Sequence, residues 1–181
     1  MLQAAQRLLR TPVGVLRVTA SERGVTAIER VSRASVASRT KVSRAKVSGR
    51  AKVSRTQVSR VKVSGRAARH ADTAVRQLRE YFAGTRRKFA VSLDLDGTEF
   101  QQQAWAAMCG IRYGHTLSYA QQAKAIGKPK AVRAVGSANG ANPVPIIVPC
   151  HRVIASDGSL GGYALGLAMK RYLLALETTA R

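Results

Sequence analysis

Cysteine and acid are what this chain of 181 residues has least of. Two cysteines, Cys109 and Cys150, cannot form a disulfide framework for a chain of this size. A reduced, cytoplasmic protein is therefore expected. The three histidines, His70, His115 and His151, share no CxxC or HxxxH spacing with them, so no metal site is expected. Aspartate and glutamate together number 9 against 31 lysines and arginines, a net charge of +22. Such a balance points to a polyanion as partner, nucleic acid before an anionic membrane. Long apolar runs are also missing: none approaches the roughly 20 residues of a spanning helix. Arg7 and Arg10 interrupt the opening apolar stretch and make it a poor signal peptide. The chain is still 45% hydrophobic, enough to bury a core in one large domain or two small ones.

The first segment reads as β. "VGVLRVTAS" and "GVTAIER" are two β-prone runs around a hairpin turn at Ser21–Gly24. From Val31 to about His70 the composition changes. "KVSRA", "KVSGRA", "KVSRT", "QVSRV" and "KVSGRA" follow one another, with valines at 42, 47, 53, 58 and 63, spacings that fit neither helix nor strand. Residues 31–70 hold four Lys, eight Arg and no acid. With no Leu, Ile or aromatic side chain they lack the apolar surface to offset ordering entropy. The expectation is a disordered basic insertion, able to hold phosphate backbone without reading sequence. Order is expected again at Asp72, the predicted N-cap of a helix over "DTAVRQLREYFAG", followed by an alternating strand, "KFAVSLDLDG". A domain division is placed near Asp96, giving units 1–95 and 96–181.

The second unit reads mainly as helices. Thr98 with Gln101, and Ser118 with Gln121, are capping-box pairs opening "EFQQQAWAAM" and "YAQQAKAIG". Pro129 is placed at the start of a further helix, "KAVRAVGSANG". Together the last two make a helix-turn-helix candidate. The second helix offers the small residues Ala131, Ala134, Gly136, Ser137 and Ala138 around a single Arg133. Small residues let a helix sit deep in a groove, and a lone arginine can occupy the place of a displaced base. An ordinary helical hairpin with a solvated arginine would carry the same pattern. Leu165, Ala168, Met169, Tyr172, Leu173 and Leu176 form one amphipathic stripe near the C-terminus.

Cys109, in an apolar helix beside Met108, reads as inert packing. Cys150 differs: Pro143, Pro145 and Pro149 stiffen the run before it, and His151 and Arg152 follow it. An imidazole can accept a thiol proton, and the thiolate is the nucleophile. Neighbours in an extended strand face opposite ways, so a Cys–His relay requires a turn or a bridging water. Glu177, at the edge of the last helix's buried stripe, is the candidate third member, because an acid there is costly without a partner.

These residues carry a resemblance. "NPVPIIVPCHRVIASDGSLGGY" resembles the active-site segment of the 6-O-alkylguanine-DNA alkyltransferases, and "SYAQQAKAIGKPKAVRAVGSANGANP" resembles their helix-turn-helix. The match runs from about Gly97 to Glu177. Residues 11–30 and 72–96 resemble the family's N-terminal domain. The resemblance implies an α+β protein, with a small RNase H-like α/β domain followed by a winged-helix-like, DNA-binding domain. It implies a single-turnover DNA repair protein, monomeric and without a cofactor. Its partner would be double-stranded DNA containing alkylated guanine, with 4-O-alkylthymine as a second substrate. Cys150 would accept the alkyl group, His151 would deprotonate it through a water, Glu177 would hold the histidine, and Asn142 would order the turn. Arg133 would replace the flipped nucleotide, Tyr119 would rotate its phosphate, and Tyr163 would sit in the guanine pocket.

Some positions depart from the family pattern. Leu165 stands where many relatives have glycine, and is expected to narrow the pocket. Ala141 stands where many carry a basic residue. No N-terminal cysteine is present for the zinc site of some relatives, and the basic repeat has no counterpart. Two other readings compete: a lesion-binding protein without chemistry, like the alkyltransferase-like proteins, and a helix-turn-helix regulator.

Overall fold

A computed structural model of the protein describes residues 4–31 and 65–179. Three strands, β1 (Ala5–Thr11), β2 (Gly14–Ala20) and β3 (Val25–Val31), form an antiparallel sheet in that order. The hairpin between β2 and β3 closes where the sequence places it: the Ser21 amide donates to the Gly24 carbonyl at 2.8 Å. Gly24 is needed for space. A Cβ there would lie 2.5 Å from the Ser92 carbonyl oxygen, because residues 92–94 cross the start of β3. β1 was not foreseen. It lies in the stretch judged only as a failed signal peptide, and pairs along its whole length with β2.

Helix α1 (Gly65–Phe82) covers one face of the sheet. Its small residues Ala67 and Ala71 meet Ala5 and Ala20 at one end, while Leu78 and Tyr81 join Leu9, Leu16 and Val18 in the main core. This corrects two expectations. The helix begins at Gly65, so residues 65–70 of the expected insertion are helical, since the alanines favour helix and find packing. Asp72 is thus no N-cap but lies inside α1, paired with Arg7 at 2.7 Å. The rest of the expected insertion, residues 32–64, lies outside the described residues. The expected strand "KFAVSLDLDG" is extended but builds no ladder. Its backbone is taken by the buried Gln77 side chain, which bonds both the amide and the carbonyl of Ala90, and by a single bridge from Val25 to Leu93.

In the second unit, both expected capping boxes form, opening α2 (Glu99–Cys109) and α3 (Tyr119–Ala125). α4 (Val132–Gly140) completes the helix-turn-helix. Pro129 precedes it in the turn rather than sitting in its first turn, and Ala131 is its N-cap with no side-chain bond. The angle between α3 and α4 is held by a buried amide pair. Gln122 and Asn139 exchange two side-chain hydrogen bonds, at 2.7 and 3.0 Å, and Gln122 also donates to Ala104 of α2. Trp105 of α2 donates to the Ala138 carbonyl at 2.8 Å. These bonds pair both buried amides with each other and so specify one packing. Two short parallel strands, β4 (Leu117–Ser118) and β5 (Val153–Ile154), tie the helix-turn-helix to the segment after Cys150.

Helix α5 (Leu167–Thr179) buries Met169, Lys170, Leu173 and Glu177. The expected stripe shifts accordingly: Leu165 precedes the helix, and Ala168 is exposed. Cys109 is also exposed rather than packed. The two units meet along β3, whose Ile28 amide donates to the Pro143 carbonyl at 2.8 Å.

Candidate active site

The segment from Asn142 to Pro149 is a buried loop rather than a strand. Its prolines cannot donate to a ladder, so besides the Val148 amide's bond to the Val144 carbonyl at 3.0 Å one side chain does most to close it. Asn142 accepts from the Val144 amide at 3.0 Å and donates to the Val148 carbonyl at 2.8 Å. Ile146 inside this loop has φ 78°, the only non-glycine positive φ among the described residues. A β-branched residue there is strained by about 1–3 kcal/mol. The loop delivers the chain into a single 3-10 turn, Cys150–Arg152. This is the turn a Cys–His relay requires.

Cys150 is buried, and its sulfur accepts from Asn142 Nδ2 at 3.2 Å. Burial pushes the thiol up from its ordinary value. The Asn142 bond and the nearby Lys170 charge oppose the rise without cancelling it. The resting sulfur is therefore a thiol, and a base must take its proton. His151 lies fully buried next to it. Its Nε2 meets Glu177 Oε1 at 2.8 Å, while its Nδ1 has no protein partner. Burial would raise the Glu177 carboxyl, but His151 and Arg152 outweigh it and hold it at about 2. An ionised Glu177 can only accept, so the imidazole proton is assigned to Nε2 and Nδ1 carries a free lone pair. Burial keeps the imidazole neutral despite the carboxylate, pulling its pKa below the ordinary value. The arrangement is a neutral base, oriented by an anion, beside a protonated nucleophile.

Glu177 has more partners than spacing suggested. Arg152 donates through Nε to Oε2 at 2.9 Å and through Nη2 to Oε1 at 2.9 Å. The Gly114 amide donates to Oε2 at 3.0 Å, and the Tyr81 hydroxyl donates to Oε1 at 2.7 Å. Lys170 was also missed. It is buried beneath the loop that follows β5, donating to the carbonyls of Val153 at 2.6 Å, Leu160, and Gly162 at 3.3 Å. Its place on the buried stripe, between Met169 and Leu173, was the available signal.

Cys150 opens onto a cleft of about 510 Å³. Tyr119 from α3 lines it, with Val132, Arg133, Gly136, Asn139 and Gly140 from α4 and the loop Gly161–Ala164 opposite. Gly161 is there to admit Tyr119: a Cβ would lie 2.8 Å from its hydroxyl. Tyr163 lines the cleft with a buried hydroxyl that has no partner, the kind of group that a bound polar ligand would satisfy. Burial raises its pKa, reinforced by Cys150 and Glu177, so it is a donor. Arg133 is exposed at the rim. Gly136 faces the Tyr119 ring at ordinary contact distance. Ala134 and Ser137 are exposed on α4 away from the cleft, and Ala131 is partly buried at its N-terminus. Leu165 does not line the Cys150 cleft. It is buried against a separate cavity between β3 and the Asn142–Pro145 loop, so it takes no space from the pocket it was expected to narrow. Among the described residues no group of three His, Cys, Asp or Glu could hold a metal ion, and no helix is long and apolar enough to cross a membrane.

A helix-turn-helix whose second helix forms one wall of a cleft lined by a buried cysteine, with a histidine held by an ionised glutamate behind it, points to the class of DNA-binding proteins with a reactive cysteine. Comparison with known proteins makes the class specific. Residues 99–179 match the DNA binding domain of 6-O-methylguanine DNA methyltransferase, and residues 5–95 match its ribonuclease-like domain. The chain belongs to this family, and its α+β architecture is the family's two-domain one. A methylated-DNA–protein-cysteine methyltransferase of Methanosarcina barkeri is 55% identical over 104 residues, which cover 58% of this chain and 66% of that protein. One from Mycobacterium tuberculosis is 58% identical over 104 residues, covering 58% of this chain and 63% of that protein. These alignments thus span slightly under two thirds of the relatives' length. The crystal structure of the M. tuberculosis O6-methylguanine methyltransferase superposes with a TM-score of 0.74 at 35% identity, covering 99% of this chain and 95% of that one. M. tuberculosis OGT in complex with DNA gives 0.74 at 39% identity, covering 97% and 93%.

Proposed function

We propose that this protein repairs duplex DNA by moving the alkyl group of 6-O-alkylguanine onto Cys150, once per molecule. The observation that carries this reading is the Cys150 sulfur at the floor of the cleft, fixed by Asn142 and adjacent to a His151 whose Nδ1 is free and whose Nε2 is held by Glu177. His151 takes the thiol proton through a bridging water. The thiolate attacks the alkyl carbon, an S–C bond forms and the C–O bond to guanine breaks. The electron pair stays on the guanine, which takes up the proton that left Cys150 and departs neutral. Atoms and charge balance with no cofactor. Tyr163, a donor with an unfilled bond, faces the departing base. The sulfur ends as a thioether with no proton to lose, so the protein is spent.

The Cys150 sulfur is buried in its cleft, out of reach of a stacked base, so the nucleotide must leave the stack, at a cost of a few kcal/mol. Arg133, exposed at the rim at the start of α4, fills the gap. Tyr119, packed against Gly161, turns the phosphate into the cleft. The small exposed residues Ala134 and Ser137 allow α4 to approach the groove closely. We take the working form as a monomer acting on DNA in the cytoplasm. We take residues 1–95 as a supporting domain and 96–181 as the domain that meets DNA and accepts the alkyl group. The same chemistry extends to 4-O-alkylthymine, whose alkylated oxygen leaves in the same way.

The test is incubation with duplex DNA carrying one 6-O-methylguanine, followed by peptide mass analysis. The reading expects one methyl group on the peptide containing Cys150, and none in Cys150→Ala. Methyl transfer surviving in Cys150→Ala would overturn it.

A further inference from the structure

We infer that Tyr81, on α1 of the N-terminal domain, is a positioning residue for the transfer reaction: its hydroxyl shares the Glu177 oxygen that holds His151 and thereby limits how strongly His151 retains a proton. This rests on the functional reading above, in which His151 is the base.

The geometry is specific. The Tyr81 hydroxyl lies 2.7 Å from Glu177 Oε1, and His151 Nε2 lies 2.8 Å from the same oxygen. Arg152 Nη2 reaches it as well, at 2.9 Å. Three residues therefore converge on Oε1, where Arg152 Nε also reaches at 3.2 Å, while Oε2 takes Arg152 Nε at 2.9 Å and the Gly114 amide. All of this is buried, where each donor draws charge that the others would otherwise feel. Other ionisable groups also face the pair: Cys150 and Tyr163 at the cleft, Tyr113 after α2, and Lys170 on α5. Tyr81 stands apart from all of these because it comes from the other domain.

Packing alone would not require the hydroxyl. The Tyr81 ring is already held by Phe82, Phe89 and Tyr113, with centroids 5.6, 5.4 and 6.0 Å away. A phenylalanine would keep those contacts. A hydroxyl buried beside an acid and an imidazole carries a desolvation cost, which its bond to Glu177 offsets. The consequence for function follows from the charge. A general base must bind the thiol proton and give it up again. A carboxylate facing the imidazole alone would hold the imidazolium too tightly. Burial keeps His151 neutral at rest, and Tyr81, by taking part of the Oε1 charge, weakens the opposing pull of the carboxylate. Removing the hydroxyl returns that charge to His151 and makes protonation easier.

The test is Tyr81→Phe in the full chain, with His151 followed by NMR of the labelled imidazole between pH 5 and 7 and Tm measured alongside. Tyr81→Phe is expected to raise the ratio of protonated to neutral His151 at least about threefold at each pH, equivalent to about half a pH unit. The acid limb of the methyl-transfer rate should move to higher pH by the same amount. An unchanged His151 ratio, with only Tm lowered, would make Tyr81 a structural tether and overturn the inference. The NMR readout needs no substrate. If the protein transferred no methyl group at all, the functional reading would fail while the role of Tyr81 toward His151 was still decided.

Discussion

Replacing Asn142 with alanine tests whether one side chain orders the whole nucleophile loop. The substitution removes three interactions. The Val144 amide loses its acceptor, the Val148 carbonyl loses one of two donors, and the Cys150 sulfur loses its only side-chain donor. Val148 keeps the Cys150 amide, at 2.9 Å, so only the Val144 N–H is left buried and unpaired. That orphan costs about 1–3 kcal/mol and the lost Val148 bond about 1 kcal/mol. The strained Ile146 backbone then loses a clamp that holds it in place. The expected loss is about 3 kcal/mol, or about 6–12 °C in Tm for a chain of this size, read by calorimetry or urea unfolding. Chemistry should suffer in the same variant. The Asn142 bond opposes the rise in the Cys150 thiol, so without it a smaller fraction is thiolate and iodoacetamide should label Cys150 more slowly at pH 7. A stability loss below about 1 kcal/mol, or unchanged labelling, would refute the claim that Asn142 organises this loop.

Two further outcomes follow from the same geometry. Arg133→Ala should slow methyl transfer from duplex DNA by at least about tenfold, the weight of an inserted side chain against a flipping cost of a few kcal/mol. Its reaction with free 6-O-methylguanine should hardly change; an equal loss on both would remove the gap-filling role. Acid should destabilise the protein in a defined window. Glu177 is held at about 2, against an ordinary 4.5, so its contribution is complete above 4.5 and drains as pH falls toward 2. His151 is buried neutral with a lowered pKa, so protonation of the unfolded chain below about 6.5 favours unfolding in the same direction. Unfolding free energy measured from pH 7 to 3 should fall steadily, and less steeply in Glu177→Gln. Parallel curves for the two proteins would contradict this.

What could be read in advance was local. The capping boxes at Thr98 and Ser118 each pair two residues within a single turn, and their pattern is the structure. The Pro-Cys-His-Arg core also lies within four residues, and Glu177 showed itself as an acid on an apolar stripe. What escaped depends on distance along the chain. Tyr81 and Glu177 are 96 residues apart, and nothing near Tyr81 marks its hydroxyl as anything but core. Gln122 and Asn139 are ordinary helix residues until each becomes the other's partner. β1 was hidden by two arginines, Arg7 and Arg10, that disqualify a signal peptide but sit comfortably on the edge strand of the sheet. The N-terminus of α1 was misplaced because Asp72 looks like a cap, and its real partner, Arg7, is 65 residues away. Leu165 was judged by the family's glycine at its position. Its backbone directs the side chain to the other side of the loop, toward β3.

The most direct test of the central claim is the intact mass of the protein after reaction with excess duplex DNA carrying one 6-O-methylguanine. The account predicts a gain of one methyl group per molecule, located on Cys150, with no second turnover when more DNA is added. No gain in mass while the lesion is still bound, or repeated turnover on an unmodified protein, would contradict it.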